Sequence, residues 1–384
     1  MPADGRLFLT EEQGMIRDMA RDFATRELAP HAAEWDRSGG FPEDMYKRMG
    51  ALGLMGMLVP EECGGAEAGH LAYALAMEEI SAGDVGTASA MSVNNSLVCA
   101  GLAEFGSEDQ KERFLKPLAQ GDFLGAFGLT EPHSGSDASA LRTRAVLDGN
   151  AFILNGSKQF ITNGAKADVA LIIAVTDPEA GKKGLSCFIV PTDTSGFTVL
   201  KVEEKLGQRA HDTGQLVFED IHLTPDLMLG ELGQGYRIAF SNLESGRIAI
   251  ASQALGAARA AYEAALAYAK ERETFGKPII EHQAVSFRLA DMATEIEAAR
   301  LLTHHAARLS DAGLPCIKEA SMAKLYASEM AERVCSNAIQ TFGGYGYLSD
   351  FPVERYWRDV KVCQIYEGTS DVQRIVIGRA IAAE

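Results

Sequence analysis

The sequence has few cysteines and prolines, an excess of acidic over basic charge, and no long apolar run. Six cysteines (Cys63, Cys99, Cys187, Cys316, Cys335, Cys363) include no C-x-x-C pair, and their wide spacing fits neither a zinc ribbon nor a disulfide framework. Reduced, mostly buried thiols are expected. Proline contributes 12 of 384 residues and glycine 38, while 47% are hydrophobic and 23% charged, which places the chain with folded globular proteins and away from collagen-like or disordered ones. Lys and Arg total 36 against 53 acidic residues, a formal charge of −17, which is the wrong sign for nucleic-acid phosphates. Small anionic ligands remain open, because a few placed Arg or Lys side chains can hold a phosphate. The most apolar windows, Leu52–Pro60 and Val169–Val175, fall short of the roughly 18 residues that would span a membrane, and the Ala-rich run from Ile248 is broken by Arg259 and Glu263. Met1 to Gly14 carry Asp4, Glu11 and Glu12 and no leader pattern, so a cytoplasmic location is expected.

Several catalytic signatures are also missing. The histidines are scattered, and His304-His305 face different sides of a helix, so no metal site is expected. There is no G-x-S-x-G elbow, no P-loop, and no G-x-G-x-x-G after a strand, which leaves acid–base or cofactor chemistry.

At about 150 residues per domain, the length predicts two to three domains. Over residues 1–121 the pattern is helical. Thr10 and Gln13 form a T-x-x-Q capping box ahead of Met15, Met19 and Phe23, with Pro30 as the stop, and Ser107 with Gln110 forms a second box. Over residues 122–234 short β-rich runs (142–147, 151–154, 169–176, 185–190 and 197–202) are separated by turn signals at Asp148-Gly149, Asn155-Gly156 and Asn163-Gly164, predicting a mostly antiparallel sheet or barrel. Over residues 235–384 long helical patterns return at 236–269, 282–310, 315–342 and from Ser370, which suit a bundle. The fold class expected is mainly α within α+β: helices, then a sheet, then helices.

Five segments can carry chemistry, and each has a plainer reading. In Gln364–Arg374, Ser370 and Gln373 predict an S-x-x-Q cap, which puts Glu367 in the loop before a helix; there it is either an exposed carboxylate near a helix dipole or a general base in a partly apolar niche. Gly128–Asp137 is either a Ser/Gly turn or a cradle of backbone N–H groups and hydroxyls. Glu244 and Arg247 share a helix face at i,i+3, as a solvated pair or as site residues, and Arg272 either grips a pyrophosphate or caps a helix end. Gly343-Gly344 is either a turn between helices or a place where backbone approaches a ligand.

Taken together, five motifs in order resemble the acyl-CoA dehydrogenase family from Phe8 to the last helix: Leu129-Thr130-Glu131-Pro132 with Gly135-Ser136-Asp137, Phe160-Ile161-Thr162-Asn163-Gly164, Arg272 with Thr274-Phe275-Gly276, Gln340 with Gly343-Gly344, and Ile365 to Ser370. The resemblance implies an N-terminal helical domain, a central β-domain and a C-terminal four-helix bundle in a homotetramer that binds FAD. It implies that Phe127, Gly128, Leu129, Thr130, Gly135, Ser136, Phe160, Ile161 and Thr162 meet the flavin, and that Arg272, Phe275, Gln283, Gln340, Gly343 and Gly344 act on FAD across an interface. Thr369, Ser370 and Asp371 would meet FAD from the subunit's own last helix. Ser136, Glu244, Arg247, Tyr366 and Gly368 match substrate positions, with Arg247 pairing with the adenosine-phosphate part of CoA.

By the same resemblance Glu367 is the base that removes the α-proton of an acyl-CoA thioester, most like the short-chain and short-branched-chain members, with electrons passing to an electron-transferring flavoprotein. Some members carry the base just before the matching Arg, where this chain has Gly246. Phe127 and Phe160 stand where Tyr and Trp are common in the family, and His133 replaces a small residue. Alternatives are a same-fold flavoprotein that uses oxygen, or a non-catalytic acyl-CoA-binding protein.

Overall fold

The first helix begins where its capping box predicts: Gln13 N–H donates to Thr10 Oγ1 at 3.2 Å and Thr10 N–H to Gln13 Oε1 at 3.1 Å. The computed structural model describes residues 9–40, 44–241 and 243–384. The leader reading of residues 1–8 and the Phe8 end of the resemblance therefore lie outside the described residues. The first helix, Glu11–Phe23, runs on through a wider turn, Ala24–Leu28, to stop at Pro30. The box at Ser107 and Gln110 is likewise formed, with bonds of 3.0 and 3.2 Å.

Eight strands follow: β1 Gly125–Gly128, β2 Arg144–Asp148, β3 Ala151–Thr162, β4 Val169–Val175, β5 Leu185–Pro191, β6 Phe197–Val202, β7 Thr213–Leu223 and β8 Met228–Leu229. They form one sheet in the order β6-β7-β3-β2-β4-β5-β8, with β1 paired parallel to β4 and most other pairs antiparallel. The apolar run in β4 is buried on both faces. Val169, Leu171 and Ile173 pack on the N-terminal helices through Val98, Leu102 and Leu115, and Ala170, Ile172 and Ala174 pack on Phe188 and Phe218 inside the sheet.

One sequence expectation is corrected here. Asn155-Gly156 is not a turn but an irregularity inside the continuous strand β3, where the register against β7 shifts between Leu154 and Gly156. Gly156 takes φ +146°, and a Cβ there would stand 2.6 Å from Thr143 Cα. The Asn155 side chain ties this point to Asp220 on β7, giving a bond to Asp220 Oδ1 at 3.0 Å and taking one from Asp220 N–H at 2.9 Å. Strands β1, β7 and β8 were not foreseen.

The C-terminal bundle is built from Leu243–Glu271, Gln283–Asp311, Ile317–Phe342 and Ser370–Ala383, with a short fifth helix at Val353–Val360. Its core is alanine-rich, with Ala254, Ala258, Ala261 and Ala265 facing Ala320, Ala323, Ala327 and Ala331, which lets the helix axes approach closely. Buried ion pairs join it to the N-terminal helix Gly69–Gly83: Arg259 lies 2.8 Å from Glu78 and 2.6 Å from Glu79, and Arg300 lies 2.9 Å from Glu78. Among the described residues no helix is long and apolar enough to cross a membrane, and no three His, Cys, Asp or Glu side chains are grouped to hold a metal ion.

Candidate active site

The segment before the last helix is held by buried polar side chains. Glu367 and Gly368 take left-handed backbone, φ +54° and +88°, the first uncommon for a residue with a side chain. The helix cap lies one residue earlier than expected: Thr369 Oγ1 accepts from Val372 N–H at 3.3 Å, and Ser370 is the first helical residue. Gln373 is not the partner of a capping box, because its amide reaches back to the carbonyls of Glu367 (3.2 Å) and Gly368 (2.9 Å). Lys324, fully buried on the helix Ile317–Phe342, donates to the carbonyls of Tyr366 (2.9 Å) and Gly368 (2.5 Å). The Tyr366 hydroxyl donates to Gln253 Oε1 at 2.6 Å and accepts from Gln208 Nε2 at 3.3 Å, and Gln253 Nε2 donates to Ser89 Oγ at 2.7 Å. Elements from all three parts of the chain thus converge behind this loop.

In front of the loop is a cleft of about 220 Å³ between the sheet and the bundle. Phe127, Leu129, Thr130, Gly135, Ser136, Phe160, Ile161 and Thr162 line the sheet side; Val93, Leu97, Phe240, Leu243 and Arg247 line the helix side; Tyr366, Glu367 and Gly368 close it. Phe160 is 64% exposed and points into the opening because β3 has a second irregularity there, with Phe160 at φ +59° and the register shifting between Lys158 and Ile161. Of the expected sheet-side residues, Gly128 alone does not face the opening; a Cβ at that position would stand 2.5 Å from Ile172 Cδ1, so its lack of a side chain serves packing.

Glu367 is the only carboxylate among the residues that line this cleft. Its Oε2 is shielded from solvent and, among the described residues, has no hydrogen-bond partner. Burial raises its pKa above the ordinary carboxylate value, while the cations of Lys324 and Arg247 pull partly the other way. Gly246 lies directly against it, for a Cβ there would stand 2.1 Å from Glu367 Oε2.

On the long helix, the solvated-pair reading of Glu244 and Arg247 needs correction. Arg247 is 3% exposed, donates to Ser321 Oγ at 3.2 Å and, among the described residues, leaves Nε without a partner, so it is not a solvated partner of Glu244. It faces the interior of the cleft beside Glu367. Glu244 does not line the cleft, and its carboxylate accepts from the Cys316 thiol at 3.3 Å.

The remaining expected residues lie elsewhere. A second cavity of about 400 Å³ is lined by Arg272, Thr274, Gly343, Gly344 and the aromatic rings of Tyr268, Phe342 and Tyr345, and it shares no residue with the cleft. The Arg272 guanidinium stands 5.8 Å from the Tyr345 ring centre. Gly343 ends its helix with φ +63° and is both turn and cavity wall. Phe275 is 96% exposed, and Gln283 and Gln340 are also exposed. Thr369, Ser370 and Asp371 line neither cavity, although Ser370 Oγ is buried and unpartnered.

Sequence reasoning missed the groups that hold these parts in place. Lys158 and Glu131 form a buried ion pair of 2.7 Å, and Lys158 also donates to Leu129 O at 3.0 Å while Glu131 accepts from the backbone of Arg142 and Thr143. This fastens the loop after β1 to β3. Lys324 carried a visible signal, since it falls on the stripe of Ala320, Ala327 and Ala331 that buries its helix. Gln208 carried none.

Three domain families match the chain: acyl-CoA dehydrogenase N-terminal domain over residues 10–122, middle domain over 126–221 and C-terminal domain over 233–382. The chain belongs to the acyl-CoA dehydrogenase family. Among its relatives, the acyl-CoA dehydrogenase of Bacillus subtilis is 50% identical over 373 residues, covering 97% of this chain and 98% of that one. The short-chain specific acyl-CoA dehydrogenase, mitochondrial, of Homo sapiens is 49% identical over 369 residues, covering 96% and 90%. Three solved structures of similar shape bear on the site. A chain in the structure described as electron transferring flavoprotein of Acidaminococcus fermentans has TM-score 0.96, 48% identity and coverage of 98% and 99%. Butyryl-CoA dehydrogenase from Megasphaera elsdenii gives 0.95, 44%, and 97% and 99%. A glutaryl-CoA dehydrogenase from Mycobacterium smegmatis in complex with FADH2 gives 0.94, 36%, and 99% and 97%. As an acyl-CoA dehydrogenase family member the chain is an oxidoreductase, and the cleft with Glu367 is its candidate active site.

Proposed function

We propose that this chain is an FAD-dependent acyl-CoA dehydrogenase that converts a short or branched acyl-CoA thioester to its trans-2-enoyl-CoA. The cleft fits a flavin: one wall offers the rings of Phe127 and Phe160 with the hydroxyls of Thr130, Ser136 and Thr162, and the unpartnered Ser370 Oγ at a helix start suits a phosphate. Bound FAD would accept the β-hydrogen as hydride. Glu367 takes the α-proton, and its raised pKa brings it nearer to the weakly acidic C–H it must deprotonate. The α-carbon's electron pair becomes the new C=C bond as the β-hydride departs. While the thioester oxygen gains negative charge, the backbone N–H of Glu367 is available to it as a donor. Arg247, buried beside the carboxylate, favours its ionised form before the proton arrives.

The observation that carries this reading is one unpartnered carboxyl oxygen, Glu367 Oε2, in a cleft whose described lining residues include no other carboxylate and no histidine. A short substrate is favoured by the hydrogen-bonded groups Ser89, Gln253 and Tyr366 behind the cleft, which resist deepening because each would lose a partner. The short-chain and butyryl-CoA relatives agree. The similar chain in the structure described as electron transferring flavoprotein supports such a flavoprotein as the electron acceptor. The separate cavity at Arg272, with Phe275 extended into solvent, supports a homotetramer in which it serves a neighbour's FAD.

The test is an anaerobic panel of acyl-CoA thioesters followed by flavin absorbance. Bleaching that peaks at short chains is expected, with slow reoxidation in air. A protein that stays colourless when purified with FAD present, or a yellow one that no acyl-CoA bleaches, would overturn the proposal.

A further inference from the structure

One buried cation stands directly behind the Glu367 loop without lining the cleft. Lys324 has no solvent exposure, and the acceptors of its ammonium are the carbonyls of Tyr366 and Gly368, with no carboxylate in hydrogen-bond contact. Gln373 holds the carbonyl between them, that of Glu367, and shares the carbonyl of Gly368. Three consecutive carbonyls are thus drawn to the side away from the cleft. No peptide bond among the described residues is cis, so each carbonyl points opposite to the N–H of the same peptide unit. The N–H groups of Glu367 and Gly368 therefore face away from Lys324 and Gln373, the side on which Tyr366, Glu367 and Gly368 line the opening. Among the described residues neither N–H has a hydrogen-bond acceptor.

An ammonium buried without a carboxylate is costly, and a methionine of similar length would fill the same space without that cost. What the charge adds is polarisation, since a cation on a peptide carbonyl makes the N–H of that peptide a stronger donor.

We infer that Lys324 is a positioning residue for the reaction proposed above, on which this inference rests. Through the Tyr366 and Gly368 carbonyls it holds Glu367 in left-handed backbone, aims the Glu367 N–H at the thioester oxygen and strengthens that N–H as the oxygen gains negative charge. The charged and titratable groups facing it are Glu367 and Cys363 from the loop side and Arg247 from the long helix. Burial lowers the Lys324 pKa to about 8, Cys363 and Glu367 acting to raise it and Arg247 to lower it, so the cation is present at neutral pH and lost above that value.

The experiment uses the full-length protein carrying K324M or K324Q, with FAD content read from absorbance. Turnover of butyryl-CoA is measured across pH, together with equilibrium binding of acetoacetyl-CoA, a 3-oxoacyl thioester that can bind as its enolate. With FAD retained, K324M should lower kcat by about ten- to a hundredfold and leave KM within about threefold. It should weaken acetoacetyl-CoA binding by a similar factor and remove the decline in kcat above about pH 8. K324Q, which keeps a donor but no charge, should lose the same alkaline decline, and it carries the comparison if K324M does not fold. Variants with kcat and acetoacetyl-CoA affinity within threefold of the parent, or with losses confined to thermal stability and FAD content, overturn the inference. A parent protein that reacts with no acyl-CoA would instead sink the proposed function; a parent that reacts beside variants that react equally sinks only the role of Lys324.

Discussion

Replacing Gly246 by Ala tests the active site at its tightest contact. The new Cβ would stand 2.1 Å from Glu367 Oε2, whereas ordinary contact begins near 3.4 Å, so the carboxylate must retreat by roughly 1.3 Å. The obstructed atom is the end of a flexible side chain in an open cleft, so the clash is relieved by rotating Glu367 and not by shifting helices. The fold should therefore lose less than about 1 kcal/mol, at the mild end of overpacking costs. Catalysis should lose far more, because a misplacement of about 1 Å at a reacting group can cost a hundredfold, equivalent to about 2.7 kcal/mol of barrier. The assay is anaerobic bleaching of the flavin by butyryl-CoA in the G246A variant, with thermal unfolding and FAD content measured on the same sample. The expected result is yellow protein with a melting temperature within about 3 °C of the parent and a rate reduced about a hundredfold. A G246A rate within threefold of the parent would refute the placement of Glu367 as the base beside this glycine.

Further outcomes follow from other contacts. Glu367→Gln should keep FAD and still bind acyl-CoA, yet lose flavin bleaching by a factor of at least about a hundred; unchanged bleaching removes Glu367 from the chemistry. Because burial raises the Glu367 pKa, the acid limb of kcat/KM should lie above the ordinary carboxylate range, activity rising as the group deprotonates; a limb at or below that range contradicts its burial. Arg272→Ala should lower FAD occupancy and loosen the oligomer, read by absorbance and sedimentation, and full occupancy would deny its part in holding the cofactor. Burial alone would raise the Glu78 pKa, but Arg300 and Arg259 hold it at about 2. Its stabilising contribution is thus complete above its ordinary value of 4.5 and is lost as pH falls from there toward 2. Glu78→Gln should cost about 3 kcal/mol near neutral pH and flatten the acid dependence of unfolding over that window; an unchanged acid profile would show that Glu78 is not the group titrating.

Much of the fold was legible because its elements obey local rules. The boxes at Thr10 and Ser107 satisfy orphan N–H groups with their own side chains, and no distant partner is required. Misreadings arose where one residue pattern serves two geometries. Asn155-Gly156 has the composition of a hairpin turn, yet a glycine that can adopt φ +146° also lets a long strand slip its register and continue. Ser370 and Gln373 have capping-box spacing, yet Thr369 is equally able to cap and leaves Gln373 free to hold the loop behind it.

The site divides in the same way. Its cleft residues come from short contiguous motifs, so the family resemblance of those motifs taken together could point to Thr130, Ser136, Phe160 and Glu367, although each segment alone leaves a plainer reading open. Spacing on one helix shows which residues share a face but not what covers that face. The i,i+3 relation of Glu244 and Arg247 therefore could not reveal that Arg247 is buried against Glu367. Lys324 acts on a carbonyl 42 positions away, Gln208 on a hydroxyl 158 away and Gln253 on one 113 away. A carboxylate in a loop becomes a base only when such remote groups fix its backbone, remove its water and set its charge. Those long-range contacts bury Glu367 and count against the exposed-carboxylate reading, and substitutions at Gly246 and Lys324 probe the proposed role as base.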